Sequence, residues 1–224
     1  NPQTPYSVNK LQVEEGLSVL ADKNFSPIAL RFGTVYGISP RIRFDVVINM
    51  LCGLALTTNK VTLNSNGKAW RPHLHIEDVC QSFLRCLEWT PNKGELIILN
   101  VGQNEDNYQV IDIARIIHTN VVSSELNYLD GTEDCDGNDL VKDRKIQDGV
   151  DTRSYKVSFD KIQETLPGFK CKWTVESGIK NLLDELKKIN ISKDIFNKRE
   201  FYRLQQIEFL HQKHKIDDNL FWLK

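Results

Sequence analysis

Tyr6 and Lys10 stand four residues apart near the start of a 224-residue chain, within Pro5-Tyr6-Ser7-Val8-Asn9-Lys10. That spacing puts a phenol and an ammonium on one helical face, a single turn apart. A fixed cation favours the phenolate form, so such a pair is suited to taking up and returning a proton near neutral pH. Alone, Tyr-x-x-x-Lys also arises by chance on surface helices. The elements that must position it give it weight. Helical periodicity continues through Val13 and Leu17, with Leu20 and Ala21 close by, and stops at Asn24 before Pro27. Ile28-Ala29-Leu30-Arg31-Phe32 then has the character of a strand and runs into Gly33-Thr34-Val35-Tyr36-Gly37. Helix, turn, strand and glycine-bounded loop are the grammar of a parallel α/β sheet, where ligands sit beyond the carboxyl ends of strands. The loop over residues 33–40 is therefore a candidate site.

Three motifs in order then carry a resemblance: Pro2-Gln3-Thr4-Pro5-Tyr6-Ser7-Val8-Asn9-Lys10, Leu30-Arg31-Phe32-Gly33-Thr34-Val35-Tyr36-Gly37 and Trp70-Arg71-Pro72-His73-Leu74-His75-Ile76-Glu77-Asp78-Val79. Together they resemble the NAD-dependent epimerase/dehydratase family, the extended short-chain dehydrogenases that act on nucleotide sugars. Leu99-Asn100-Val101-Gly102, Asp151-Thr152-Arg153-Ser154-Tyr155 and the Leu-rich helix after Trp173 extend the likeness over residues 1–190. The resemblance implies an α/β fold, the C-terminal part of a Rossmann-like doubly wound parallel sheet with a smaller α/β substrate-binding region. Residues 191–224 are expected to form a helical C-terminal tail.

The same resemblance implies NAD, in preference to NADP, as cofactor and a nucleotide-diphosphate sugar as substrate. Tyr6 would remove a sugar hydroxyl proton while hydride passes to the nicotinamide, and Lys10 would bind the nicotinamide ribose. Thr34 and Val35 would contact nicotinamide and sugar, although many members have Asn where this chain has Thr34. Arg71 would grip the diphosphate with its planar fork, with Arg153 as a second clamp. Arg41 and Arg43, alternating by two after the loop, would line the sugar pocket. A homodimer is a further expectation.

No G-x-G-x-x-G or G-x-x-G-x-x-G occurs in the chain, so the phosphate turn that holds a dinucleotide is not among these residues. The expectation is a C-terminal portion of a longer enzyme, inactive by itself. The alternative is a non-catalytic remnant or interaction module that keeps the fold without turnover. Retention of Tyr6, Lys10 and Arg71 together favours the enzyme, because packing demands none of them.

Composition fits a globular α/β chain. Hydrophobic residues make up 40% and the formal net charge is -1, which supplies a core and no bulk attraction to nucleic acid or anionic membrane. Five cysteines form no C-x-x-C pair, and Cys52, Cys80 and Cys86 fall in apolar runs as buried thiols do. A cytoplasmic location is expected. Val46 to Leu56 is interrupted by Asn49 and Gly53 and is too short to span a bilayer. His73 and His75 alternate by two and would share a strand face, yet no third ligand accompanies them and no metal is expected.

Further elements are expected as a helix over 44–58, strands over 60–63 and 68–75 joined by the tight turn Asn64-Ser65-Asn66-Gly67, and a helix to Trp89 with Asp78 as its N-cap. The acidic segment 130–148 is expected to be a solvated insertion. A polar helix over 193–215 leads to Leu220-Phe221-Trp222-Leu223, an apolar terminus expected to dock on the body or on a partner; His211 and His214 should face solvent.

Overall fold

The computed structural model describes residues 4–63, 65–89, 94–128 and 153–223. Cys135, the acidic segment 130–148 and Asp151-Thr152 of the fifth motif lie outside the described residues. In chain order the elements are α1 (Pro5–Leu20), β1 (Ile28–Phe32), β2 (Thr34–Tyr36), α2 (Val47–Thr58), β3 (Lys60–Leu63), β4 (Trp70–His75), α3 (Ile76–Glu88), β5 (Ile97–Val101), β6 (Asn107–Gln109), α4 (Val110–Asn120) and β7 (Glu125–Tyr128). After them come α5 (Asp160–Thr165), α6 (Val175–Lys188), α7 (Lys193–Phe196) and α8 (Arg203–Gln212).

Among the described residues, three of the four pairings between strands are parallel. β1 pairs with β5, β2 with β4 and β3 with β7, while β6 joins β4 antiparallel. Helices therefore supply the crossovers, as parallel pairing requires. This is the α/β class expected from the sequence. The tight-turn expectation fails, because β3 and β4 never pair with each other. β3 instead takes β7, with Lys60 opposite Glu125. β4 turns away to lie between β2 and β6.

Residues 33–40 are not a simple loop either. Gly33 alone separates β1 from β2, and across it the chain changes partner from β5 to β4. Gly33 lies so close to β4 that a Cβ there would stand 3.1 Å from the Pro72 carbonyl oxygen.

The pleat of β2 and β4 divides two cores, since neighbouring side chains leave a strand on opposite faces. Tyr36 faces a cluster with Phe44, Ile48, Leu51, Ile113, Ile117 and Val175. Leu74 and Val35 face another with Val79, Leu99, Val101, Phe159 and Ile162. α6 buries Ile179, Leu182, Leu183 and Leu186 against the first, the i, i+3, i+4, i+7 stripe of an amphipathic helix. Thr174 and Ser177 form its capping box.

Gly178 sits on that buried stripe, and a Cβ there would overlap the Tyr36 hydroxyl and ring. Glycine to alanine inside a helix normally stabilises by roughly 0.5–1 kcal/mol. Here the overlap should reverse the sign and cost about 1–3 kcal/mol. Urea unfolding of Gly178→Ala is expected to show a lower midpoint than the parent; an equal or higher one would mean that the helix shifts freely.

Several boundaries differ from expectation. α2 begins at Val47 rather than residue 44, with Phe44 buried ahead of it. The N-cap of α3 is His75, whose Nδ1 accepts the Glu77 N–H at 3.3 Å; Asp78 lies in the first turn and is buried. The helix expected over 193–215 breaks into α7, a 3-10 turn at Arg199–Phe201, and α8. The break places Phe196 over Gly53 of α2, in contact with Phe44 at 4.8 Å between ring centroids.

The apolar terminus does not dock on the body: Phe221 and Trp222 are 70% and 72% exposed, and Ile216 alone of that segment is buried. His211 and His214 are exposed, His211 pairing with Asp218 at 2.8 Å. No described helix is long and apolar enough to cross a membrane.

Candidate active site

α1 presents Tyr6. Thr4 caps the helix by accepting the Ser7 N–H at 3.2 Å while the Ser7 hydroxyl reaches back to Thr4, and Pro5 occupies the first helical position. The cap fixes Tyr6 in the first turn and Lys10 in the next. The Lys10 ammonium lies 5.5 Å from the centroid of the Tyr6 ring. Tyr6 is 71% exposed, and neither side chain makes a hydrogen bond or ion pair with a described residue. No residue of α1 is buried. A bidentate ion pair from Arg31 to Glu14 ties the helix to β1 and lowers the Glu14 carboxyl below its ordinary range.

β2 and β4 present the second group. Thr34 lies opposite His73 and Tyr36 opposite His75, so these four side chains share a face with Arg71. Val35 points to the other face. Arg71 is buried, donating through Nη1 to the Trp70 carbonyl at 2.8 Å and to the Arg153 carbonyl, with its guanidinium 5.2 Å from the Tyr155 ring. The segment after Arg153 is laced to β4 by Trp70 N–H donating to Ser154 Oγ, by Tyr155 N–H donating to the Trp70 carbonyl and by Lys156 over the Trp70 indole at 3.6 Å.

Tyr6 and Lys10 thus come together, and so do Arg71 and Arg153. Arg41 is exposed and makes no ion pair with a described residue. Arg43 is taken up by Asp45 through two hydrogen bonds, while Ile42 and Phe44 between and beyond them are buried.

His73 and His75 do share a face, but as core groups. His73 is fully buried with neither ring nitrogen bonded, its pKa pushed down to about 3 by burial and then by Arg71. His75 is lowered by burial against the opposing pull of Glu77. Both rings meet Tyr36 edge-on, at 6.5 and 5.3 Å between centroids. Among the described residues no group of three or more His, Cys, Asp or Glu is placed to hold a metal.

No sequence pattern pointed to the strap over residues 172–175. Asp78 accepts the Lys172 and Trp173 N–H groups at 2.9 and 3.2 Å, Glu77 accepts the Trp173 indole N–H at 3.0 Å, and Asp106 accepts the Val175 N–H at 3.1 Å. Trp173 is thereby laid on His75, ring centroids 4.4 Å apart, and Tyr36 donates to the Thr174 carbonyl. Burial raises both carboxyls, Asp106 to about 6, against the N–H donors that favour the charged form. These partners lie 69 to 96 residues apart, beyond any local pattern.

Two of the three expected buried thiols also need correction: Cys52 is buried, Cys86 half-buried and Cys80 exposed. Cys80 faces outward because α3 turns Asp78, Val79 and Ser82 toward the body.

A family model described as NAD dependent epimerase/dehydratase matches the segment that holds Tyr6, Lys10, Thr34 and Arg71. The match runs over residues 1–102. Solved structures agree in fold. The UDP-glucose 4-epimerase of Thermotoga maritima, determined with UDP-glucose, superposes at a TM-score of 0.67 and 21% identity over 85% of this chain and 55% of its own. The UDP-glucuronic acid 4-epimerase of Bacillus cereus, in complex with UDP-glucuronic acid and NAD, gives 0.63 and 24% over 84% and 54%. The dTDP-glucose 4,6-dehydratase of Bacillus anthracis, in complex with NAD, gives 0.63 and 19% over 92% and 56%. The chain therefore spans little more than half the length of the epimerase/dehydratase structures it matches.

Proposed function

We propose that residues 1–190 are the catalytic and sugar-binding portion of an NAD-dependent nucleotide-sugar epimerase or dehydratase, with 191–224 as a helical appendage. The observation that carries this is the Tyr6 and Lys10 pair: exposed, uncommitted, in contact, and held on the first two turns of a capped helix within the family segment. A structural role would bury or pair at least one of them.

The donor set suits the nicotinamide end of NAD, since Lys10 offers an ammonium with no carboxylate partner among the described residues. NAD, when bound, supplies an acceptor for the hydride leaving the sugar carbon. The rest falls to the chain. Tyr6 takes the proton from the sugar hydroxyl as its phenolate, whose negative charge the Lys10 ammonium offsets until the proton arrives. Thr34, at the start of β2, meets the sugar and nicotinamide with its side chain, and Val35 does so through its backbone, since its side chain turns to the other face. Arg71 and Arg153 face the diphosphate, and Arg41 flanks the sugar pocket.

The test is turnover by the protein carrying its nucleotide-binding part. Loaded with NAD and offered UDP-, dTDP- and ADP-linked hexoses, it is expected to convert at least one into an epimer or a dehydrated keto-sugar visible by NMR. Intact binding of a nucleotide sugar with no conversion of any would point to a non-catalytic binding module.

A further inference from the structure

Residues 37–46 join β2 to α2 without helix or strand, and their tip, Pro40-Arg41, is exposed. Arg41 flanks the proposed sugar pocket, so its place there depends on how firmly this loop is held. Two fastenings hold it, one from the body of the fold and one from the C-terminal segment.

The inner fastening is Asn49. It lies in the first turn of α2, 3% exposed, beside Ile48 and Leu51 of the apolar core. Its Oδ1 accepts the Gly37 N–H at 3.0 Å, and its Nδ2 donates to the Arg43 carbonyl at 2.9 Å. A buried amide is unfavourable unless it is hydrogen-bonded, and both ends of this one are used on the main chain at the two ends of residues 37–43. Gly37 is also pressed against β4: its φ is +116°, and a Cβ there would stand 2.9 Å from His75 Nε2.

The outer fastening comes from residues 196–203. The Phe201 carbonyl accepts the Phe44 N–H at 3.1 Å, and the Arg203 N–H donates to Asp45 Oδ2 at 3.3 Å. Phe44 is buried and meets the rings of Phe196 and Phe201 at 4.8 and 5.4 Å between centroids. Packing accounts for the rings; the two main-chain donors in addition fix where the loop ends.

We infer that Asn49 and residues 196–203 form a clasp that positions Arg41 for the nucleotide sugar, which makes the C-terminal segment part of the construction of the site. The inference rests on the function proposed above, which sets Arg41 at the sugar pocket. A clasped loop loses its conformational freedom on folding, whereas a loose one must be ordered when the ligand arrives, and that weakens binding. Asn49 and Phe201 are therefore positioning residues, acting through Arg41 rather than on the ligand.

Amide hydrogen exchange of the 224-residue chain, followed by NMR, tests the clasp. Asn49→Leu removes both amide bonds, and Phe201→Ala removes a ring that seats the C-terminal segment on Phe44. Each is expected to speed exchange at both Gly37 and Phe44 at least about tenfold, with the amides of α6 unchanged. Asn49→Ser takes the place of leucine should that variant not fold. Trp222→Ser, in the same C-terminal segment but 72% exposed and outside the clasp, should change neither amide. Phe44 exchange unaltered by the Asn49 substitution, Gly37 exchange unaltered by Phe201→Ala, or equal acceleration in α6 would overturn the proposal.

In the protein carrying its nucleotide-binding part, Asn49→Leu and Phe201→Ala are expected to raise KM for the nucleotide sugar about two- to tenfold, with kcat and NAD affinity little changed. In an Arg41→Ala background the same substitutions should raise KM no further, because the clasp acts through that side chain. An equal factor in both backgrounds would overturn the positioning role. Faster loop exchange in the variants, beside a parent that converts no nucleotide sugar, would keep the clasp but overturn its positioning role together with the enzymatic function, so the two failures are distinguishable.

Discussion

Replacing Tyr6 with phenylalanine, in the protein carrying its nucleotide-binding part, is expected to lower kcat by about 10²- to 10⁴-fold, the contribution typical of a general acid/base group. Nucleotide-sugar affinity should stay nearly unchanged. The surroundings of Tyr6 are the reason the effect is expected to be confined to turnover. The hydroxyl makes no hydrogen bond with a described residue and the ring is 71% exposed, so its loss leaves no buried group without a partner. The helix start is held by Thr4, Pro5 and Ser7, none of which depends on Tyr6. Single-turnover conversion and a separate binding titration measure the two quantities. A phenylalanine variant with near-normal kcat would remove Tyr6 from the chemistry, whatever its affinity.

Local elements were legible in the sequence where one segment contains its own signal. α1 starts at a Thr-Pro cap, β1 is an apolar run broken only by Arg31, and α6 carries a buried stripe at helical spacing. Pairing was not legible, because it depends on distant residues. Asn64-Ser65-Asn66-Gly67 has the composition of a hairpin turn, yet β3 pairs in parallel with β7, and β4 pairs in parallel with β2 and antiparallel with β6. Burying β4 on both faces outweighs the local turn preference.

Histidines were legible in direction and misleading in role. Period two correctly put His73 and His75 on one side of β4, but that side is a core wall shared with Tyr36. The strap was hidden for the same reason as the pairing. Asp78 has the side chain of an N-cap but lies three residues past the N-cap His75, and its carboxylate serves Lys172 and Trp173 instead. Only the chain's return past α3 reveals that use.

Arg71→Ala is expected to weaken nucleotide-sugar binding by about ten- to a hundredfold with NAD affinity little changed, whereas Lys10→Ala should do the reverse. Position is the basis for the difference. Lys10 lies one turn from Tyr6 on an exposed helix, and Arg71 lies on β4 against the 153–156 segment. The buried setting of Arg71 adds a complication that can be separated by experiment. Its guanidinium holds the Trp70 and Arg153 carbonyls and packs on Tyr155, so alanine also leaves two main-chain acceptors short of a donor. Arg71→Lys keeps the charge but not the planar fork. If the fork matters for phosphate, lysine should recover melting temperature more fully than affinity. Titrations of Arg71→Ala, Arg71→Lys and Lys10→Ala with NAD and with a panel of nucleotide sugars, each beside a thermal melt, decide the matter. Equal losses for both ligands across all three variants would mean general loosening of the fold, and the assignment of separate sugar and cofactor contacts would have to be abandoned.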